Sequence, residues 1–356
     1  MSALPSSLPV LQQRLAHFVP SGRSRLGSLP GFAVASTGSY VPEQIVTNED
    51  LASLGCDSDW IVQRTGILQR RRVAPGQSAS DLAYEASKVC LDSAGVAPSE
   101  VDLIIVATMT PDHATPSTAC HLQKRLGCIA PAFDLNAACA GFMYAMATAA
   151  QFVANGFSKK ALVVGSEVMS QTVNPADVKT YPLFGDGAGA ALIVPAAPSP
   201  DQPNGFLAYT LGAEGCGGQM LCVPAGGSRM PLTADNIDQG LQYLHMDGRS
   251  VFKWAVRVIE DSVTDVMGYC HAQPSDISQV ILHQANIRII DAAVSDFGVD
   301  RNRIFVNLDR YGNTSAASIP LALDEAVRAG KIQREGLIVL CGFGAGLSWG
   351  TCVLRW

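Results

Sequence analysis

Three residues with chemically useful side chains each stand at the border of an apolar run. Cys139 lies in Asn136-Ala-Ala-Cys-Ala-Gly-Phe142, after the strand-like Pro131-Ala-Phe-Asp-Leu135 and at the head of a long uncharged segment. A thiolate at a helix start meets the positive end of the macrodipole and free backbone N–H groups, and both lower its pKa. Ala138, Ala140 and Gly141 leave room for a carbonyl group to approach the backbone. Taken alone, a cysteine here is equally a small buried hydrophobe. His283 opens His283-Gln-Ala-Asn286 directly after the apolar run Val280-Ile-Leu282. The C-terminal end of a buried strand is where α/β folds place sites, although a single histidine there also serves as a structural residue. Asn313, in Tyr311-Gly-Asn-Thr-Ser-Ala-Ala-Ser-Ile-Pro320, offers a carboxamide beside a glycine turn. By itself, Asn-Thr-Ser is also an ordinary helix cap.

The elements that must hold these residues alternate between strand and helix patterns, which argues for an α/β protein. Short apolar runs at 103–107, 161–165, 280–282 and 337–340 have the character of strands buried on both faces. Thr47 to Asp50 and Ser78 with Asp81 read as helix starts of the capping-box kind. Gly185-Asp-Gly-Ala-Gly-Ala-Ala-Leu-Ile193 is echoed by Gly342-Phe-Gly-Ala-Gly-Leu-Ser-Trp-Gly350, and each leads into a strand pattern. Two copies of one α/β unit account for the echo, as does chance likeness of glycine turns. The expected organisation is a mobile N-terminal extension over 1–30, a first half over 31–200 and a second over 201–356. Loops rich in Gly and Pro between Ala196 and Asp247 would join the halves. Arg14, Arg23 and Arg25, with several serines and no acid before Glu43, have some transit-segment character. A bacterial extension ahead of the fold is the preferred reading.

Composition narrows the classes. The chain has 356 residues, 48% hydrophobic and 16% charged, with a formal net charge of −6, so it is globular. No basic run provides an electrostatic basis for nucleic-acid binding. Ten cysteines occur without a CxxC pair or a secretory pattern, and Cys90, Cys120, Cys270, Cys341 and Cys352 sit inside apolar runs. Free thiols in a reduced cytoplasm, with no structural zinc, are expected. The uncharged stretch from Leu135 to Ser158 is long enough for a membrane span. Its Ala, Gly and Thr content with Asn136 and Gln151 suits a helix buried in protein instead.

Taken together, the three motifs and their surroundings resemble the beta-ketoacyl-acyl-carrier-protein synthase III family of the thiolase superfamily. The matching stretches are Gly38–Glu43, Trp60–Gly66, Cys139 with its flanks, Gly185–Gly189, His283–Arg288, Gly312–Ser318 and the closing glycine motif through Gly350, in family order. The resemblance implies a five-layered αβαβα sandwich built from two similar halves, a homodimer and an acyltransferase. An acyl group would pass from acyl-CoA to Cys139. Malonyl-acyl carrier protein would then lose carbon dioxide, with His283 and Asn313 stabilising the enolate. The backbone N–H groups of Cys139 and Ala345 would form the oxyanion site, where the family commonly has glycine at the second position. The resemblance further implies CoA contacts at Trp60, Arg64, Arg249, Phe252, Ala285 and Asn286. It implies acyl-pocket residues Thr115 and Phe184, and carrier-protein docking by Lys253, Arg257 and Arg288. No metal or redox cofactor is implied.

The chain departs from the family pattern at three places. Val178 stands where many members have an adenine-clamping arginine, a role that Arg249 would then take. Ser295 and Asp296 stand where lysines often extend the carrier-protein patch. Thr115 replaces a phenylalanine that closes the pocket of acetyl-specific members, which points to a longer primer at about 0.8 kcal/mol per buried methylene. The leading expectation is initiation of fatty-acid synthesis. A related condensing enzyme of specialised metabolism, or an idle carrier-binding scaffold, are the alternatives.

Overall fold

A computed structural model describes Leu15, 19–196, 204–295 and 297–356. Asp296, most of the N-terminal segment before Val19 and the junction at 197–203 lie outside the described residues.

The first half contributes strands β2 (Phe32–Tyr40), β3 (Gln44–Thr47), β4 (Gln69–Arg72), β5 (Leu103–Ala107), β6 (Ala132–Leu135), β7 (Ala161–Val168) and β8 (Asp186–Pro195), with β1 (Arg25–Pro30) ahead of them. The second half contributes β9 (Gly205–Ala213), β10 (Leu221–Cys222), β11 (His245–Met246), β12 (Ile277–Leu282), β13 (Leu337–Gly344) and β14 (Ser348–Arg355). One five-stranded sheet has the order β2-β8-β7-β5-β6 and the other β1-β9-β14-β13-β12.

The two sheets repeat one pairing scheme. In the first, β2 and β7 flank β8 antiparallel, and β7 runs parallel to β5. In the second, β9 and β13 flank β14 antiparallel, and β13 runs parallel to β12. The parallel β5–β6 pair has its counterpart in a bridge between Val280 and Ile304. The duplication is therefore structural, but the glycine-rich echo is out of register with it: Gly185–Ile193 lies almost wholly on β8, whereas Gly342–Gly350 spans the end of β13, the turn and the start of β14.

Strand residues alternate between two apolar layers. Leu103 and Ile105 of β5 join the central core, whereas Ile104 and Val106 join an outer one formed with the helices Ala79–Ala94 and Thr118–Leu126. In the second sheet Ile338 and Leu340 face the centre, whereas Val339 and Cys341 face the helices Gly248–Tyr269 and Ile287–Val294. The central layer is the helix pair Gly141–Ala154 and Ser318–Arg328. The five layers are thus helices, sheet, helices, sheet, helices, as expected for a thiolase-like fold.

This order explains the uncharged stretch. The helix Gly141–Ala154 lies between two sheets, and Ala145, Met146, Ala149 and Ala150 are fully buried. A helix covered on every side is apolar all round. Among the described residues no helix is long and apolar enough to cross a membrane.

Two local expectations need adjustment. The sequence reading made 1–30 a mobile extension, but Arg25–Pro30 is an edge strand paired with β9, and Leu26 packs on the second half's core. The open edge of β9 offers backbone partners that a loose tail would leave unpaired. The Thr47–Asp50 pair does close, with Thr47 N–H donating to Asp50 at 2.8 Å, but it opens a short 3₁₀ turn, Glu49–Leu54. Ser78 and Asp81 form the expected capping box on Ala79–Ala94.

Met146, at the centre of the sandwich, has no room to relax. Met146→Ala should lower unfolding free energy by about 2–5 kcal/mol, measured by urea denaturation.

Candidate active site

The helix Gly141–Ala154 is preceded by the turn Ala138–Ala140, which carries Cys139. Ala138 takes a positive φ of 46°, an uncommon conformation for a residue with a side chain. The turn fits because its neighbours are small. A Cβ on Gly344, at the end of β13, would lie 2.7 Å from Cys139 Cβ, so only glycine lets that strand pass the nucleophile. On the other side, a Cβ on Gly165 would lie 2.3 Å from the carbonyl oxygen of Ala316. That glycine brings β7 against the turn Ser315–Ala317, where Ser315 also has a positive φ, of 49°.

His283 follows β12 and is 1% exposed. Its backbone N–H donates to Cys341 O at 2.8 Å, which continues the strand ladder to the ring itself. Nδ1 lies 2.6 Å from Ser318 Oγ, and the ring meets Phe343 edge-on at 5.1 Å. Burial pushes the imidazole down to about 3, so it is neutral in the folded enzyme. Asn313 is held by its backbone, N–H to Leu183 O at 2.8 Å and C=O from Gly185 N–H at 3.1 Å. Its Oδ1 accepts from Ser315 N–H at 2.9 Å, leaving the Nδ2 hydrogens as donors.

Cys139, His283 and Asn313 line one cavity, with Phe184, Phe252, Ala285, Asn286 and Ala345. Its empty space, including the open mouth, is about 800 Å³. Met109, Met169, Leu221 and Leu244 make its walls apolar. The helix start was expected to lower the Cys139 pKa, but the thiol is pushed up to about 12. Burial is the main cause and the Glu167 carboxylate adds to it, against a lowering hydrogen bond from Ser315. Desolvation of a thiolate outweighs one helix end.

The cavity opens onto a wider surface groove through Leu183, Met246, Gly248, Phe252 and Asn286, which border both. Trp60, 37% exposed, lies on the rim with Arg64 stacked 4.8 Å over its ring. Arg249, Lys253 and Arg288 line the same groove, as does Lys179. Five cations with one acid, Asp247, form a strongly anion-attracting rim. Lys179 was missed by the sequence reading. It directly follows Val178, where the family arginine is absent, and supplies a positive charge from the same loop. Asn286 has structural duties as well, with Nδ2 donating to Arg64 O at 2.9 Å and Oδ1 capping the next helix.

Some expected residues lie elsewhere. Thr115 is exposed in the loop before the helix Thr118–Leu126 and does not line the cavity of its own chain. Arg257 continues the exposed basic face of Gly248–Tyr269, but one turn beyond the groove. Ser295 is exposed at the end of Ile287–Val294.

The sequence reading also missed Glu167, Ser318 and Arg70. Glu167 was legible only as the one acid in an apolar strand run. Arg70 is fully buried, forms no ion pair among the described residues, and donates to Val46 O, Asn48 Oδ1 and Pro182 O at 3.1, 2.7 and 2.8 Å. Burial lowers it to about 10, and it braces the loop that brings Phe184 to the cavity.

Duplicated sheets around a cysteine turn, with a buried histidine and asparagine in the same cavity, define a condensing enzyme of the thiolase fold. Residues 133–215 match the family described as 3-oxoacyl-[acyl-carrier-protein (ACP)] synthase III, and 269–356 match its C-terminal region. A beta-ketoacyl-[acyl-carrier-protein] synthase III of Rhodopirellula baltica is 62% identical over 345 residues, 93% of this chain and 100% of that protein. The synthase III of Desulfitobacterium hafniense is 47% identical, covering 91% of this chain and 97% of that protein. The crystal structure of 3-oxoacyl-[acyl-carrier-protein] synthase III from Aquifex aeolicus aligns with a TM-score of 0.83 at 40% identity, covering 92% of this chain and 100% of that one. The chain belongs to the beta-ketoacyl-[acyl-carrier-protein] synthase III family.

The depressed His283 pKa carries a stability consequence. Above pH 6.5 the imidazole is neutral in both the folded and unfolded chain. As pH falls from there toward 3, the unfolded chain gains a proton that the folded one refuses, so folding stability is lost. Urea unfolding at pH 7 and pH 5 should show wild type losing about 2 kcal/mol more than His283→Gln.

Proposed function

We propose that the chain primes its own Cys139 with an acyl group from acyl-CoA and condenses it with malonyl-acyl carrier protein to give a 3-oxoacyl-acyl carrier protein. The observation that carries this reading is the single cavity joining Cys139, His283 and Asn313 to a cationic rim. A thiolate serves acyl transfer as both nucleophile and leaving group. The acyl thioester is reached from the rim, where Trp60, Arg64, Lys179 and Arg249 suit a nucleotide and its phosphates, and the Phe252–Asn286 passage suits the pantetheine arm. The backbone N–H groups of Cys139 and Ala345 are the proposed oxyanion donors, and the position of both residues on the cavity wall supports that role.

Decarboxylation needs donors for a developing enolate rather than a base. The tautomer this step requires has Ser318 Oγ, which accepts from Gln284 N–H at 3.4 Å, donating to His283 Nδ1 at 2.6 Å, with the ring proton on Nε2. His283 Nε2–H and Asn313 Nδ2–H then stabilise the enolate oxygen together. Lys253, Arg257 and Arg288 form the docking face for an acidic carrier protein. No metal or redox group enters this chemistry. Two identical chains acting in the cytoplasm at the first step of fatty-acid synthesis complete the proposal. Thr115 is exposed and outside the chain's own cavity, so a primer longer than acetyl rests on the resemblance alone.

The test is a condensation assay with malonyl-acyl carrier protein and a panel of acyl-CoA donors, with acyl loading followed by intact mass. Cys139→Ala should abolish loading. His283→Ala and Asn313→Ala should load normally but lose condensation by about 10²–10³-fold. Equal loss of loading in all three would contradict this division of roles. Arg64→Ala should raise KM for acyl-CoA while leaving kcat nearly unchanged.

A further inference from the structure

The chemistry above leaves one buried acid beside the nucleophile without a task. Glu167 lies near the end of β7 and is fully buried. Its carboxylate accepts from Thr110 Oγ1 at 2.6 Å, Thr108 Oγ1 at 3.1 Å and Met109 N–H at 3.1 Å. From the opposite half it accepts from Ser315 Oγ at 3.0 Å and Ala316 N–H at 3.4 Å. Among the described residues it forms no ion pair, so only neutral donors hold it. Ser315 also stands close enough to the Cys139 sulfur to favour its thiolate. The carboxylate and the hydroxyl are hydrogen-bonded, and the hydroxyl lies beside the sulfur inside a dry site.

The other titratable neighbours are few. Cys139 comes from the turn 138–140, and His283 lies across the cavity at the end of β12. The segment after β5 presents Thr108, Met109 and Thr110, and the 315–317 turn presents Ser315 and Ala316. On the adjacent strand, Asp186 is turned to Ser170 and to Val73 N–H. His283 is a poor base, being buried with Nδ1 already engaged by Ser318.

We propose that Glu167 receives the proton of the Cys139 thiol through the Ser315 hydroxyl, holds it during acyl transfer, and returns it when the acyl group leaves. The proposal rests on Cys139 being the acylated nucleophile. In loading, the S–H bond of Cys139 breaks and its proton bonds to Ser315 Oγ, while the hydroxyl's own proton passes to Glu167. The electron pair left on sulfur forms the new C–S bond, and the departing donor thiolate takes a proton from solvent. In condensation that C–S bond breaks, and the freed cysteine thiolate recovers its proton from neutral Glu167 by the reverse path. Glu167 acts through Ser315 and is a positioning residue for the proton, not a group that touches substrate. Its carboxyl is pushed up to about 7 by burial, a value that lets it exist in both forms near neutral pH.

Electrostatics alone gives the opposite sign to the relay, so the two are separable. The Glu167 charge raises the thiol pKa, and neutralising it without a relay would make Cys139 more reactive. The experiment follows carboxamidomethylation of Cys139 by iodoacetamide, read by peptide mass spectrometry from pH 5 to 10, for wild type, Glu167→Gln and Ser315→Ala. Wild type should show a rise centred near pH 7. Glu167→Gln should lose that rise and react at least about tenfold more slowly at pH 8. Ser315→Ala, with Glu167 intact, should lose it as well. Equal or faster alkylation of Glu167→Gln, or an unchanged Ser315→Ala profile, would overturn the relay. If circular dichroism shows that Glu167→Gln does not fold, the wild-type and Ser315→Ala profiles decide, and a wild-type curve without the step near pH 7 overturns it. Iodoacetamide needs no CoA site. Failure of acyl-CoA to load a Cys139 that keeps this profile would therefore count against the proposed function and not against the relay.

Discussion

The constraint on which the site depends is the passage of Gly344 beside Cys139. A single extra carbon on that glycine would fall inside the contact distance of the cysteine's own Cβ. This contact joins the last strands of the second half to the turn that opens the central helix of the first. With Gly165 against Ala316 on the other flank, backbone from both halves converges on one residue. The two sheets therefore have a fixed spacing, and the side chains of the site inherit that spacing.

That rigidity has an electrostatic counterpart. The sandwich buries the thiol, the imidazole and an acid together, so every charge that forms there is unscreened by water. The resting site avoids the cost by keeping Cys139 and His283 neutral. Charge at the surface has the opposite arrangement. Arg64, Lys179, Arg249, Lys253 and Arg288 gather at the mouth, where water and counterions solvate them until an anion arrives. The route from rim to base thus runs from a polar, permissive surface to a dry and demanding interior.

Much of this was legible in the residue order. Strands such as 103–107 and 161–165 announce themselves by continuous apolar character, because each face of a sheet inside a layered sandwich meets helix. Cys139 and Asn313 keep small neighbours, a local signature of backbone crowding, whereas His283 shows itself by its place at the end of an apolar strand run, between Leu282 and Gln284. Glu167 leaves no such trace, since its meaning depends on Ser315, 148 positions away. The thiol pKa was misjudged for a related reason: a helix start is visible in sequence, but the depth at which it is buried is not. Thr115 stands on an exposed loop outside the chain's own cavity, so its acyl-pocket role rests on the resemblance alone. Lys179 carries no local signature either, since only the folded loop brings it into the groove with Arg64 and Arg249.

The strand Arg25–Pro30 carries a practical consequence for anyone handling this protein. By pairing with β9 it covers a row of backbone donors and acceptors along the rim of the second sheet. A shortened chain that begins near Phe32 would leave that row bare and templated for any stray extended peptide, including other copies of itself. Solubility during expression, rather than turnover, is where such a trimmed chain would first fail.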